Sequence, residues 1–584
     1  MKYTGARILI EALIEQGTDT VFGYPGGAVL NIYDELYRQK KRIRHILTTH
    51  EQHAAHAADG YARSTGRTGV CLASSGPGAT NLITGIAAAF MDSIPLVAIT
   101  GNVPTHLLGK DSFQEVDIAG ISMPVVKHNW IVKDVRDLAE IVREAFIVAR
   151  FERPGPVLID LPKDITAHTA EWFPAVPAGK KKKTAGQIKP GASDFMPLRS
   201  LRLAKRKEKT AFTEQDIVNA VDLLKEAKRP LMYAGGGVIN ADASAELRSL
   251  AERMNAPVAL SLMGVGAMPH NHRLCTGLIG MHGTVASNKA AQKADLLVAI
   301  GARFSDRVTS RSDMFASRAK ILHFDIDPAE INKNIKTHAW VTGDLKKTLR
   351  LCLSRLPVTK ESGWNGDIEK WKNQTVRAGR NAGGKNALNP RFIIEETAKF
   401  FGLECIAVTD VGQHQIWAAQ FFPASGPRSF ISPGGLGSMG FGLGAACGVK
   451  IANKTRPVVL FTGDGSFRMN CAEMGTLSRH KIPVLIVVFN NGSLGMIRQW
   501  QDLFYEARHF EADLCPVPDF VKLAGAFNIA GNRASDRGSF TEALAAAGNE
   551  LSAGRSFLID ANIGRDEKVL PMVPSGTPID KQIL

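Results

Sequence analysis

The sequence predicts an α/β protein built from three doubly wound parallel-sheet (Rossmann-like) domains. Three observations carry this expectation. Short, continuous apolar runs recur along the chain without polar alternation, as strands buried on both faces require. Helical patterns follow them, which is the order of a parallel sheet with crossover helices. At 584 residues the chain is too long for one hydrophobic core, so several domains of ordinary size are expected.

Residues 1–172 form the first predicted domain. Its strands include Val21-Phe22-Gly23-Tyr24, Val70-Cys71-Leu72-Ala73, Leu96-Val97-Ala98-Ile99 and Val157-Leu158-Ile159, with a helical pattern from Ala54 to Ala62. Residues 173–212 break the pattern and are long for a connection inside a compact domain, so they read as an interdomain linker. The second domain, 213–356, carries Leu231 to Ala234, Leu296 to Ile300 and Ile321 to Phe324 as strands. After a polar join from Lys360 to Lys385, the third domain covers 389–563, with Val458 to Phe461 and Val484 to Phe489. The tail, 564–584, has three prolines and little periodicity, and reads as a flap, a segment packed on a neighbour, or disorder.

Composition excludes several classes. With 45% hydrophobic and 22% charged residues and no membrane-spanning tract, the chain reads as a soluble globular protein. Seven scattered cysteines without CxxC or CxxH pairing give neither a disulfide framework nor a zinc site, and the N-terminus lacks a signal or transit pattern. A cytoplasmic location without membrane association is expected. The net charge of +15 is local: Lys180 to Lys209 holds eleven Lys/Arg against Asp194 and Glu208, which is +9 of the total. That run reads as a solvated linker, with an anionic partner as the alternative; no basic helix is spaced for a nucleic-acid groove.

The most specific motif lies in the third domain. The strand Val458 to Phe461 ends in Thr462-Gly463-Asp464-Gly465-Ser466, and a helical pattern from Met469 to Leu477 follows. Twenty-seven residues after Asp464, the next strand ends in Asn490-Asn491-Gly492. A βαβ crossover returns Asn491 to the sheet edge that holds Asp464, where ligands of open parallel sheets bind. Glycines beside Asp464 allow close approach to a diphosphate. A carboxylate and a carboxamide oxygen suit Mg2+, which fills its octahedron with phosphate and water. Alone, each motif is an ordinary turn or hairpin signal; paired at this spacing after two strands, they mark a cofactor site.

This pair is the thiamin-diphosphate motif, and nearly the whole chain resembles the large, catalytic subunits of the acetolactate (acetohydroxyacid) synthase family. The matching stretches are Gly23-Tyr24-Pro25-Gly26-Gly27-Ala28, His50-Glu51-Gln52, Phe113-Gln114-Glu115-Val116-Asp117, Leu161-Pro162-Lys163-Asp164, Gly280-Met281-His282-Gly283, Arg303 to Thr309, Asp410-Val411-Gly412-Gln413-His414-Gln415 and Gly495-Met496-Ile497-Arg498-Gln499-Trp500-Gln501.

The resemblance implies decarboxylation of pyruvate and transfer of its hydroxyethyl unit to a second 2-oxoacid, pyruvate or 2-oxobutanoate, as the first common step toward branched-chain amino acids. It implies thiamin diphosphate and Mg2+, with Asp464, Asn491 and Ser493 at the metal. Gly27, Val411, Gly412, Gln413, His414, Gly463, Gly465 and Ser466 would hold the cofactor. Glu51 would hydrogen-bond N1′ of the aminopyrimidine and work as an acid–base relay. Without the family, Glu51 reads as a helix N-terminal acid opposing the dipole. Met439 matches the apolar wedge beneath the cofactor, although a methionine there is by default core.

By the same resemblance FAD, without a redox role, would take Arg153, Gly235, Gly236, Gly237, Met281, His282, Gly283, Arg303, Asp325 and Ile326. A glycine triplet alone is equally an ordinary loop. Phe113, Gln114 and Lys163 would line the catalytic centre. Arg307 would fork onto the acceptor carboxylate, while Trp500 and Met496 would shape its pocket; a lone tryptophan otherwise reads as core or interface. A homodimer or homotetramer with shared sites, and a small regulatory subunit, are implied partners. The departures are Ser305 for a usual Asp, Gly444 for a usual proline, Pro433 and the long linker. The alternative readings are a 2-oxoacid oxidase or decarboxylase using the same cofactor, and an enzyme-like scaffold recruiting nucleic acid or a membrane through Lys180 to Lys209.

Overall fold

A computed structural model of the chain describes residues 1–174, 212–358, 363–378 and 387–584. The basic run Lys180 to Lys209, and with it nearly all of the expected linker 173–212, lies outside the described residues. The chain divides into two compact units, one holding the first sheet and the other the second and third.

The first sheet contains β2 (Thr20–Gly23), β3 (Arg44–Leu47), β4 (Gly69–Ala73), β5 (Leu96–Asn102), β6 (His128–Ile131) and β7 (Pro156–Pro162), in the order β3-β2-β4-β5-β7-β6 with every pairing parallel. Every residue of β2, β4, β5 and β7 is buried, which is why these strands read as unbroken apolar runs. An antiparallel pair, β1 (Lys2–Thr4) with β8 (Thr169–Glu171), ties the start of the domain to its end near residue 172.

In the second unit, the middle sheet has β9 (Pro230–Ala234), β10 (Val258–Leu260), β11 (Cys275–Leu278), β12 (Leu296–Ile300), β13 (Lys320–Asp325) and β14 (Ala339–Thr342), ordered β11-β10-β9-β12-β13-β14. The third has β15 (Ile406–Thr409), β16 (Phe430–Ile431), β17 (Val458–Gly463), β18 (Leu485–Asn490), β19 (Ala530–Ala534) and β20 (Phe557–Asn562), ordered β16-β15-β17-β18-β20-β19. Both sheets are parallel throughout.

Three doubly wound parallel sheets are therefore present, as the sequence predicts. Counted from its own first strand, each outer sheet runs 2-1-3-4-6-5, a repeat of architecture without a visible repeat of sequence. Only the middle sheet has the full dinucleotide-binding order 3-2-1-4-5-6. In each sheet the order reverses once near its first strand: between β2 and β4, β9 and β12, and β15 and β17. Ligands of such sheets bind outside the carboxyl ends at that reversal.

Two local expectations are corrected. The polar join contains a 15-residue helix, Trp364–Ala378. Trp364 and Ile368 are 3% and 2% exposed in the middle domain's core, and the Trp364 indole N–H donates to the Pro230 carbonyl (3.0 Å). The apolar residues Trp364, Ile368 and Trp371 sit one helical turn apart, so one narrow stripe folds a segment that is polar on average. The helix expected from Met469 begins instead at Asp464 and runs to Asn470, then tightens through a 3-10 turn before Met474–His480.

The tail packs on its own chain, an outcome that none of the three expected readings named. Val573 and Ile579 are fully buried in the middle domain's core, and the Asn288 side-chain amide donates to the Ile579 carbonyl (2.8 Å). Among the described residues, no helix is long and apolar enough to cross a membrane.

Candidate active site

The reversal point of the third sheet gathers the metal and diphosphate candidates. β15 ends in Asp410-Val411-Gly412-Gln413, and β17 ends at Gly463, directly before Asp464. The Ser466 hydroxyl donates to the Val411 carbonyl (2.6 Å), stitching the two strand ends together. The His414 ring fills the space beside Gly463, where a Cβ would stand 2.8 Å from its Nδ1. Any larger residue at 463 would expel the imidazole. Burial drives that imidazole down to about 3, against a smaller pull from the Asp410 backbone, so the ring is neutral at ordinary pH.

Asp464 is 2% exposed. Its Oδ1 accepts from the Gly465 N–H (2.9 Å), whereas its Oδ2 is buried with no hydrogen-bond partner. Burial pushes the carboxyl up to about 6 from its ordinary 3.8. The backbone N–H groups of Gly465, Gly492 and Ser493 face it and pull the other way, although only that of Gly465 makes a full hydrogen bond. The Asn491 turn therefore lies against the Asp464 carboxylate, as the crossover predicts. A buried carboxylate oxygen without a hydrogen-bond donor is what a hard cation would satisfy. Among the described residues no three His, Cys, Asp or Glu side chains cluster into a metal cage. One carboxylate, one carboxamide and ligand oxygens are the donor set of a Mg2+–phosphate site.

Ser493 stands in the same turn, with its side chain already engaged. Its hydroxyl donates to the Ala512 carbonyl (2.9 Å) while its N–H donates to Asn491 Oδ1 (3.1 Å). Met439 lies within reach of the motif: a Cβ on Gly465 would stand 3.9 Å from Met439 Cε. The loop that carries it is pinned by Asp410, a residue the motif reading passed over. Its fully buried carboxylate accepts from the N–H groups of Val411, Gly440 and Gly442 and from Asn470 Nδ2, at 2.8 to 3.2 Å. The only sequence signal was an acid at a strand end, which reads equally as a turn.

In the first unit, Glu51 is the first residue of the helix Glu51–Thr65 and is half-buried; β3 ends earlier, at Leu47. Glu51 Oε2 accepts from Asn81 Nδ2 (3.0 Å). Burial, and then the Glu51 carboxylate, push the neighbouring Tyr33 phenol upward. The turn before Asn81 gathers further candidates: a Cβ on Gly78 would lie 3.3 Å from Glu51 Oε1, and one on Gly76 3.0 Å from the Gln114 Cα. Gln114 has a left-handed backbone (φ 59°), and Phe113 beside it is 88% exposed. Lys163 is exposed at the end of β7, and Gly27 is exposed where β2 ends. Arg153 Nε donates to the Ser93 hydroxyl (2.8 Å).

In the middle domain, Gly235, Gly236 and Gly237 stand at the reversal point. The N–H groups of Gly235 and Gly237 donate to the Ile300 and Gly301 carbonyls (2.9 and 3.0 Å), and a Cβ on either would strike the backbone after β12. These two glycines are explained by packing. Asp325 ends β13 and accepts from the Asp327 N–H (2.9 Å), with Ile326 between them; the Arg303 carbonyl accepts from Asn334 (3.1 Å). Burial drives His282 down to about 4, and its carbonyl accepts from Gln420 (3.2 Å), while the Gly283 carbonyl accepts from Gln582 of the tail (2.7 Å).

The tail also connects the substrate candidates. The Val573 N–H donates to the Met281 carbonyl (2.8 Å), and Met281 Sδ accepts from Arg307 (3.6 Å). Arg307 is exposed, and its ion pair with Asp306 is long at 3.9 Å. Val569, four residues earlier, bonds Gln499, the residue before Trp500. Four residues span at most about 14 Å, which brings the Arg307 turn and the Trp500 helix into one neighbourhood. Trp500 is half-buried edge-on to Phe504 (5.4 Å between ring centroids), and Met496 packs on the third domain's core.

Known proteins share this organisation. Residues 3–121 match the family model described as Thiamine pyrophosphate enzyme, N-terminal TPP binding domain; 217–351 match the central domain and 410–561 the C-terminal TPP binding domain of the same family. The chain is 45% identical over 580 residues to the acetolactate synthase large subunit of Parasynechococcus marenigrum (strain WH8102), covering 98% of this chain and 90% of that one. It is 42% identical over 577 residues to the acetolactate synthase large subunit of Buchnera aphidicola subsp. Schizaphis graminum (strain Sg), covering 98% and 97%. A probable acetolactate synthase large subunit of Methanocaldococcus jannaschii is 43% identical over 587 residues, covering 98% and 94%.

Proposed function

The chain belongs to the acetolactate synthase large-subunit family of thiamine pyrophosphate enzymes, and we infer that it decarboxylates pyruvate and joins the hydroxyethyl unit to a second 2-oxoacid, giving 2-acetolactate or 2-aceto-2-hydroxybutanoate. The observation that carries the site assignment is the buried, unpartnered Asp464 Oδ2 at the reversal point of the third sheet.

In this reading Asp464 and Asn491 hold Mg2+, and Ser493 serves it through its backbone carbonyl because its hydroxyl is engaged elsewhere. Gly463, Gly465, Ser466 and the residues Val411 to His414 form the diphosphate cradle. Bound thiamin diphosphate would supply a nucleophilic carbon and an electron sink for the decarboxylation. Glu51, held in place by Asn81, would exchange a proton with the pyrimidine N1′ of the bound cofactor, and Gly27 on the same sheet edge would contact that cofactor. Met439 supports the cofactor from the Gly-rich loop. Phe113, Gln114 and Lys163 shape the approach of the first substrate. Arg307 forks onto the acceptor carboxylate, and Trp500 with Met496 shapes the space for its side chain.

FAD is the second cofactor of this reading. Its support is the 3-2-1-4-5-6 order of the middle sheet with Gly235 to Gly237 at the reversal. Arg153, Met281, His282, Gly283, Arg303, Asp325 and Ile326 are the proposed contacts. A cytoplasmic location, assembly as a homodimer or homotetramer and, from the words "large subunit" in the relatives' names, a smaller partner chain complete the proposal. The test is acetolactate formation from pyruvate by purified protein, with thiamin diphosphate, Mg2+ and FAD omitted in turn. Acetolactate that disappears without thiamin diphosphate is expected. Oxygen consumption without acetolactate would replace this reading with an oxidase.

A further inference from the structure

We propose that Gln499 is a positioning residue that sets the orientation of the Asn491 carboxamide through Gln413, with the backbone of the C-terminal tail as the fixed end of the relay. The inference rests on the reading of Asn491 as a Mg2+ ligand and adds a reason why its oxygen, rather than its nitrogen, faces the metal.

Each bond of the relay has a fixed polarity. A backbone N–H can only donate and a backbone carbonyl can only accept. The Val569 N–H donates to Gln499 Oε1 (2.8 Å), and Gln499 Nε2 donates to the Val569 carbonyl (3.0 Å). This double bond to one residue decides which end of the Gln499 amide is oxygen. Gln499 Oε1 then accepts from Gln413 Nε2 (2.9 Å), whose second hydrogen goes to the Glu567 carbonyl (2.8 Å). Gln413 Oε1 is left facing Asn491 and accepts from its Nδ2 in a long bond of 3.5 Å. With Nδ2 committed there, Asn491 Oδ1 points the opposite way, where the Ser493 N–H also meets it (3.1 Å).

The relay is dry: Gln499 and Gln413 are 2% and 5% exposed, so water does not substitute for a lost member. The backbone makes room for it at Gly495, where a Cβ would stand 2.0 Å from Gln413 Oε1 and 2.7 Å from Asn491 Nδ2. Without Gln499, the Glu567 carbonyl alone still holds Gln413 Nε2, and among the described residues it is the only remaining restraint against a flip that presents N–H to Asn491. That flip repels Nδ2 and favours the flipped carboxamide, which turns an NH2 group toward a hard cation that takes only oxygen ligands.

The test uses the full chain with saturating thiamin diphosphate and Mn2+ in place of Mg2+, reading unbound Mn2+ by electron paramagnetic resonance. Gln499→Met is expected to raise the Mn2+ Kd about tenfold or more, the usual consequence of removing an outer-shell partner. Gln499→Glu keeps an acceptor oxygen for Val569 and Gln413 and is expected to lose less. In a Gln413→Met background, Gln499→Met should change Kd by no more than about twofold, since the relay is already cut. Wild-type affinity in Gln499→Met overturns the relay. So does an undiminished loss in the Gln413→Met background, which is what mere loss of tail packing produces. If Gln499→Met does not fold, Gln499→Glu in both backgrounds reads the same coupling. Failure of the metal reading is distinct: Asp464→Ala would then bind Mn2+ as wild type does.

Discussion

Asp464→Asn should stabilise the metal-free protein while abolishing its response to cofactor. The Asp464 carboxyl is buried, has one oxygen without a hydrogen-bond partner, and has its pKa raised from 3.8 to about 6. Keeping it ionised at pH 7.5 therefore costs the fold about 3 kcal/mol relative to the unfolded chain. The sign follows from proton counting. Between pH 3.8 and about 6 the folded state binds more protons than the unfolded one, so stability falls as pH rises through that window and the whole penalty is present above it. An asparagine removes the charge but leaves an imperfectly bonded amide, worth about 1 kcal/mol in the other direction. The net gain is about 2 kcal/mol, or roughly 4–8 °C in the transition of a domain this size. The assay is calorimetry of EDTA-dialysed proteins at pH 7.5 and pH 4.5. The variant should melt higher at pH 7.5, with the difference shrinking at pH 4.5, and should show no rise in Tm with thiamin diphosphate and Mg2+. A variant that melts lower than wild type at pH 7.5, or a difference independent of pH, refutes the reasoning.

Three further outcomes are expected. Glu51→Gln should lower turnover about tenfold or more while cofactor binding is kept; wild-type turnover would remove Glu51 from the proton relay. Trp500→Leu should form acetolactate but lose preference for 2-oxobutanoate by about tenfold, read from the product ratio in mixed substrates. Ile579→Ala, at a fully buried position in the middle domain's core, should weaken tail docking by about 2–4 kcal/mol, seen as faster proteolytic cleavage after residue 564.

Legibility followed the range of the interaction. The apolar runs of β4, β5, β12, β17 and β18 were readable because a strand buried on both faces carries its own signature in neighbouring residues. The edge strand β19 (Ala530–Ala534, with Asn532 and Arg533) carries none and owes its existence to pairing with β20. Trp364 and the tail's Val573 and Ile579 sit in segments polar or irregular on average, and only the middle domain's core shows that they are anchors.

At the site, Asp464 and Asn491 could be paired from the chain alone, because a parallel crossover returns successive strand ends to one edge. The roles proposed for Glu51, for the flavin and for the acceptor pocket came from family resemblance. The sequence by itself determined the sheet class, the family and the return of Asn491 to the sheet edge that holds Asp464. Tertiary structure alone decided that Asp410 pins the Met439 loop, that the Ser493 hydroxyl turns to Ala512, and that Gln499 and Gln413 join the tail to Asn491. Those decisions join residues 19 to 154 positions apart through hydrogen bonds. A hydrogen bond of that kind leaves no periodicity in the sequence, since any acid, hydroxyl or amide at the position spells equally well a turn, a surface or a relay.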